Sequence, residues 1–226
     1  PAALIERFVQ EMVDLLVSDS LWVREKAKET LGVDLEPRLI GILLRQIHAV
    51  LSDFFDKETG YPKTSDMYTV FVEQSIGVAT MVLNRLDESK ASPSTSKVDI
   101  GSLMVLFVEY ANSLGRDEQA LRIKTAMCQM CGTLMRKKAA FCFSHELRVR
   151  NRLFQALTSW TSDGSEDGYH SNTLDALDRL HRDLDVACLK CISVLLDKLP
   201  LLLADDACLL YTSDAADDLL CVDLGG

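Results

Sequence analysis

Two cysteine pairs, Cys128-Gln-Met-Cys131 and Cys188-Leu-Lys-Cys191, are the residues whose type and spacing come closest to a chemical motif. Two C-x-x-C pairs can supply the four thiolates of a tetrahedral zinc site. Their surroundings argue for another role. Cys188 and Cys191 continue an apolar seam with Leu184 and Leu195, and Cys131 sits beside Met127, Met130 and Leu134. Zinc pairs normally occupy tight turns, where free backbone N–H groups support the thiolates, and these pairs fall inside long helical patterns. Buried reduced cysteine is the better reading, and neither a metal nor a cofactor is expected. Seven cysteines, an odd number scattered through apolar segments, suit a cytosolic protein with reduced thiols.

Other routes to catalysis are not visible. His48, His145, His170 and His181 show no ligand spacing with one another or with carboxylates. There is no Gly-rich phosphate loop, no Gly-x-Ser-x-Gly elbow and no HExxH pattern. The acid pairs Asp183/Asp185 and Asp205/Asp206 read as solvated helix faces or ends. No enzymatic activity is expected of this chain. One charge cluster could bind a partner: Arg136, Lys137 and Lys138, then Arg148, Arg150 and Arg152, form a basic island in a chain of net charge −10. Solvated helix ends are the simpler account, with Arg136 to Lys138 complementing a helix dipole. The functional reading is contact with an acidic protein surface or with anionic lipid headgroups. The acidic balance argues against nucleic acid, whose phosphates demand a basic face.

The elements that must position these residues are helices. Leu39, Leu43, Leu44, Ile47, Val50, Leu51, Phe54 and Phe55 follow the i, i+3, i+4, i+7 rule, and Pro37 suits a first turn. Asp19 or Ser20 can cap a short helix through Leu31, with Gly32 ending it. Ser65 or Asp66 starts another, running to about Leu86, with Met67, Val70, Phe71, Gln74, Val78, Met81 and Val82 on its buried side. Further helices are expected at about 99–114, 117–138, 144–160 and 174–199, the last stopping at Pro200. Leu147, Leu153, Phe154, Leu157 and Trp160 should face inward. Residues 87–97, which hold a Ser92-Pro93 step suited to proline-directed phosphorylation, and residues 161–172 read as polar loops. No strand is expected, and no apolar run reaches the roughly 18 residues of a membrane span. About eight antiparallel amphipathic helices with short turns suit an all-α, HEAT/armadillo-like α-solenoid segment. No repeat period is visible by eye, so an irregular helical bundle is the alternative.

Residues 208–226 change character. Cys208 to Asp217 back-translates to a string resembling the transposon-end adapter of sequencing libraries, and Cys221 to Gly226 to its outer primer. This tail is expected to be non-native, which leaves 1–207 as a helical scaffold segment incomplete at both ends. Without the tail's four aspartates the net charge of −10 becomes −6.

In their order, the helices resemble the region N-terminal to the catalytic domain of neurofibromin-type Ras GTPase-activating proteins. That group includes neurofibromin and the yeast inhibitory regulators of Ras. The resemblance is carried by Val23-Arg-Glu-Lys-Ala-Lys-Glu-Thr-Leu-Gly32, Glu36-Pro-Arg-Leu39 with the helix to Asp53-Phe-Phe-Asp56, and Phe71-Val-Glu-Gln-Ser-Ile76. It continues through Gln119-Ala-Leu-Arg-Ile-Lys-Thr125, Phe141 to Glu146, Arg150-Asn-Arg-Leu-Phe-Gln-Ala-Leu-Thr-Ser-Trp160, Arg182-Asp-Leu-Asp185 and Leu199-Pro-Leu201. Divergent loops at 87–97 and 161–172 suggest a distant member, of the kind found in fungi. The resemblance implies a HEAT-like scaffold that contributes to a homodimer, in a cytoplasmic negative regulator of Ras signalling with peripheral contact at the inner membrane surface. It implies a Ras-type GTPase as partner, engaged by a downstream domain whose arginine finger stabilises the phosphoryl-transfer transition state. No arginine in this chain matches that finger, so no catalytic residue is carried over. An independent helical-repeat adaptor for protein partners is the alternative function.

Overall fold

Local capping chemistry explains where three of the helices begin. In the computed structural model, which describes residues 2–86, 98–161 and 172–197, three helices open on side-chain caps. Ser65 accepts from the Tyr68 N–H, Asp99 from Gly101 and Asp117 from Ala120, each satisfying a donor that the first turn leaves orphaned. The helices are α1 (Ala2–Asp14), α2 (Leu21–Glu29), α3 (Ile40–Ser52), α4 (Asp66–Arg85), α5 (Ile100–Ser113), α6 (Glu118–Arg136), α7 (Glu146–Thr161) and α8 (Asn172–Leu196). Among the described residues there is no strand, only two isolated bridges, Phe55 to Pro62 and Asp99 to Cys142. The fold is all-α. None of its described helices is long and apolar enough to cross a membrane.

The chain divides into two compact units, Pro1–Leu195 and Leu196–Gly226. Of the second, only Leu196 and Asp197 fall among the described residues, so the adapter-like tail lies outside them, as does Ser92. In the first unit, alternate helices pack on one another. One row runs α1 on α3, α3 on α5 and α5 on α7; a second runs α2 on α4 and α4 on α6. The rows meet where α3 touches α4 and α5 touches α6.

α4 lies between neighbours on several sides, and its burial is correspondingly broad. Phe71, Val72, Ile76, Val78, Ala79, Val82 and Leu83 are all buried. The single-stripe expectation fails at the first turn, where Met67 is exposed, while Val70, Gln74 and Met81 are half-buried. At the lower end of the α3–α4 pair, Phe54 stacks on Tyr68 with ring centroids 4.0 Å apart and meets Phe71 edge-on at 5.3 Å. Tyr110 from α5 completes this aromatic cluster; it is fully buried, and its hydroxyl lies 3.0 Å from Thr69 Oγ1. A buried phenol needs such a partner, since a lost hydrogen bond there costs about 1–3 kcal/mol.

Gly32 does not end α2 in the way its type suggested. The helix runs on into a π-helical turn, Thr30–Asp34, and Gly32 sits inside it. Its role is close approach: a Cβ there would lie 2.6 Å from Met81 Sδ and 2.9 Å from Met81 Cβ on α4. The widened turn presents carbonyls that Arg85 of α4 satisfies, donating to Gly32 O at 2.9 Å and to Leu35 O at 3.1 Å. In α7, Leu153, Leu157 and Trp160 are buried as expected, but Leu147 is 53% exposed and Phe154 36%. Val149, Ala156 and the charged Arg150 face inward instead, because α7 is covered from two directions. Thr161 still belongs to α7 and Asn172 already to α8; residues 162–171 lie outside those described.

Candidate functional site

α6 and α8 bring the four cysteines of the two C-x-x-C pairs together. Each pair occupies positions i and i+3 of its helix, so both sulfurs project from one face. Cys128 Sγ lies 3.7 Å from Cys188 Sγ, and Cys131 and Cys191 are buried one turn further along the same two helices. All four are free and buried, continuous with Leu184, Met127, Leu134 and Leu195 in the core. Mutual thiol hydrogen bonding and burial push the Cys128 and Cys131 thiols far above their ordinary range, so both are held neutral. Among the described residues no group of three or more His, Cys, Asp or Glu side chains is arranged to hold a metal ion. The fifth described cysteine, Cys142, is exposed.

Beside this seam runs a groove of about 1050 Å³, walled by α4, α6 and α8. Cys128 and Cys191 reach its wall, among hydroxyl and amide groups from Thr80, Asn84, Gln129 and Ser193. Sequence reasoning passed over this groove. A signal was present in α6, where Thr125, Gln129 and Thr133 recur every fourth residue on a polar stripe beside the apolar one.

The basic island is taken apart by the fold. Lys137 donates to Leu86 O at 2.6 Å and Asn84 O at 3.3 Å, clamping the C-terminal end of α4. Arg150 does the same for α8: buried at 7% exposure, it donates to Leu195 O and to Glu146 Oε1 through Nε at 2.8 Å. Lys138 pairs with Glu146 at 2.5 Å and Arg152 with Glu109 at 2.6 Å. Arg136 bonds Thr133 and borders the groove. Arg148 is exposed on a separate cleft of about 390 Å³ between α5 and α7, which it lines with Ser102, His145 and Arg152. The six cations thus form no common face; two of them, Lys137 and Arg150, clamp helix ends. Lys124 follows the same rule, capping Gly115 O at 3.1 Å while lying 5.8 Å from the Trp160 ring. A cation placed on C-terminal carbonyls satisfies orphaned acceptors and complements the helix dipole together.

Glu146 is the anionic centre of the α7 clamp. Burial opposes its ionisation, and the hydrogen bonds from Lys138 and Arg150 outweigh that, holding its carboxyl below the usual range. The unfolded chain therefore binds the proton more readily than the folded one, and stability rises with pH across this window. The contribution is fully present above the unfolded glutamate pKa of about 4.3 and is lost as pH falls through the lower folded value. Urea melts of the native chain and Glu146→Gln should differ by a constant amount above about pH 5, and the gap should narrow as pH falls below about 4. A gap independent of pH would remove the ion-pair account.

No family model matches the chain.

Proposed function

We propose that this chain is a non-catalytic scaffold segment of a Ras GTPase-activating protein, built as a HEAT/armadillo-like array of helix pairs. The observation that carries the reading is alternate-helix packing, the α1–α3–α5–α7 and α2–α4–α6 rows that stacked helix pairs generate. The ordered stretches that resemble neurofibromin-type proteins supply the family. Two further features support an array. Leu4, Ile5 and Phe8 leave an apolar stripe uncovered on α1, and Val186 and Leu189 leave an apolar patch on α8. Both have the three- or four-residue spacing of a helix face made to meet another helix. The segment's partners in this reading are other helices of the parent protein and a second copy in a homodimer. A Ras-type GTPase would be engaged by a catalytic domain outside this chain, in the cytoplasm or at the inner membrane surface.

The groove favours a second reading, an independent adaptor that takes a peptide or a partner protein between α4, α6 and α8. The gene sequence downstream of the codon for Ala207 separates the two. A GTPase-activating domain with its arginine-finger loop supports the scaffold; an open reading frame without one supports the adaptor.

Exposed apolar stripes on terminal helices should make the isolated chain self-associate. Sedimentation at tens of micromolar is expected to show oligomers, and Leu4→Asp with Phe8→Asp to shift them toward monomer without changing helical content. A native chain that stays monomeric at that concentration would count against the array.

A further inference from the structure

The thiol seam between α6 and α8 has a use that scaffolding does not require. We propose that Cys128 and Cys191 are sites of reversible oxidation by hydrogen peroxide, each resolved by the thiol facing it across the seam. The products are Cys128–Cys188 and Cys131–Cys191 disulfides.

Three observations carry this. The first is access: Cys128 and Cys191 line the wall of the 1050 Å³ groove, whereas Cys131 and Cys188 do not. One residue of each facing pair thus borders the groove, at 2% exposure, and its partner does not. The second is pairing. Cys128 and Cys188 are already in sulfur–sulfur contact at 3.7 Å, and Cys131 and Cys191, three residues further along each helix, are buried in the same core. A disulfide needs about 2.05 Å, and side-chain rotation must supply the remaining approach. The third is register: both links join position i to i and i+3 to i+3 of the two helices, so the two pairs follow one another along the same helix faces.

The chemistry balances. The sulfur of a groove-side thiol attacks one oxygen of peroxide as its proton passes to the other; the O–O bond breaks, sulfenic acid forms and water leaves. The facing thiol then attacks the sulfenic sulfur, forming the S–S bond and releasing a second water. Two thiols are oxidised and one peroxide is reduced for each link. Buried neutral thiols make the first step slower than at an exposed cysteine, so oxidation registers sustained peroxide rather than a brief pulse. The Cys128–Cys188 link would close a 60-residue interval and lock α8 to α6, fixing two walls of the groove.

The test uses the folded chain with Cys142→Ser, Cys208→Ser and Cys221→Ser, which leaves only the four seam thiols. After millimolar peroxide and alkylation, non-reducing peptide mapping is expected to find Cys128 linked to Cys188 and Cys131 to Cys191. Dithiothreitol should restore four free thiols. The oxidised form should melt about 5–10 °C higher, the range expected for closing long loops in a domain of this size. Cys188→Ser should stop Cys128 at a dimedone-trappable sulfenic acid while the Cys131–Cys191 link still forms. The same mapping on the unsubstituted chain guards against a folding defect in the variants. Links within a helix (Cys128 to Cys131), links appearing only in urea, or four alkylatable thiols after treatment would each overturn the proposal.

Discussion

Arg150→Ala is expected to destabilise the protein by about 3 kcal/mol in equilibrium urea unfolding. The residue is a buried cation joined to Glu146 by two side-chain nitrogens, at 2.8 and 2.5 Å, and to the Leu195 carbonyl of α8. Removing one partner of a buried ion pair costs about 3–5 kcal/mol, because it strands the groups left behind. Here the Glu146 side chain is 33% exposed, so water can take over part of its solvation, and the lower end of that range applies. Arg150→Met separates packing from charge: it keeps an apolar stem against the core but still orphans the Leu195 carbonyl, and should cost about 2 kcal/mol. Arg148→Ala, two residues away and on the exposed cleft, should stay within about 0.5 kcal/mol. Similar costs for Arg148 and Arg150 would refute the clamp. The consequence reaches α8, whose attachment depends on this bond and on the cysteine seam. Hydrogen exchange should therefore quicken in α8 of the Arg150 variants more than in α4.

Gly32→Ala should destabilise the protein even though alanine is the better helix former. Propensity alone favours alanine by about 1 kcal/mol inside a helix. Against that, the new methyl would meet Met81 Sδ at 2.6 Å and Met81 Cβ at 2.9 Å. The sulfur can swing aside, but the Cβ moves only with the backbone of α4, and overpacking of this kind costs about 1–3 kcal/mol. The net expectation is a loss of about 1–2 kcal/mol. Gly77→Ala is the matched control: its nearest neighbour would be Lys28 Cδ at 3.4 Å, an ordinary contact, so propensity should win and stability rise by about 0.5–1 kcal/mol. Combining Gly32→Ala with Met81→Ala relieves the sulfur contact but not the Cβ contact, and the double-mutant cycle should return a coupling above about 0.5 kcal/mol. If both glycine substitutions shifted stability in the same direction, close approach would not be the reason for Gly32.

The two residues differ in how much of their role the sequence could carry. Gly32 after an amphipathic run reads as a helix stop, since glycine is the usual residue past a C-terminus. Its real constraint is imposed by Met81, 49 positions later, and nothing within a turn of Gly32 encodes it. Arg150 sits between Arg148 and Arg152 with the same residue type and alternating spacing, yet the three meet a cleft, the half-buried Glu146 carboxylate and Glu109 respectively. The cysteine pairs fall between these cases. Their helical setting and burial were legible from the seam through Leu184 and Leu195, but their meeting depended on α8 lying against α6. The groove was less legible still, because polar residues on a helix face look alike whether they border a cavity or open solvent.

The sequence by itself determined that this protein is helical and where helices such as α4, α5 and α6 start. Those features are settled by interactions between residues four or fewer positions apart, such as Ser65 with Tyr68 and Asp117 with Ala120. Only the tertiary structure decided which face of α4 and α7 is buried, which cations are clamps and which thiols face each other. Each of those outcomes rests on contacts between residues about 45 to 60 positions apart, such as Arg150 with Leu195 and Cys128 with Cys188. Short-range periodicity tells a helix which stripe is apolar but not which neighbour will cover it. The four thiols that resembled a metal motif thus became a paired seam through the packing of two helices, not through the spacing within either one.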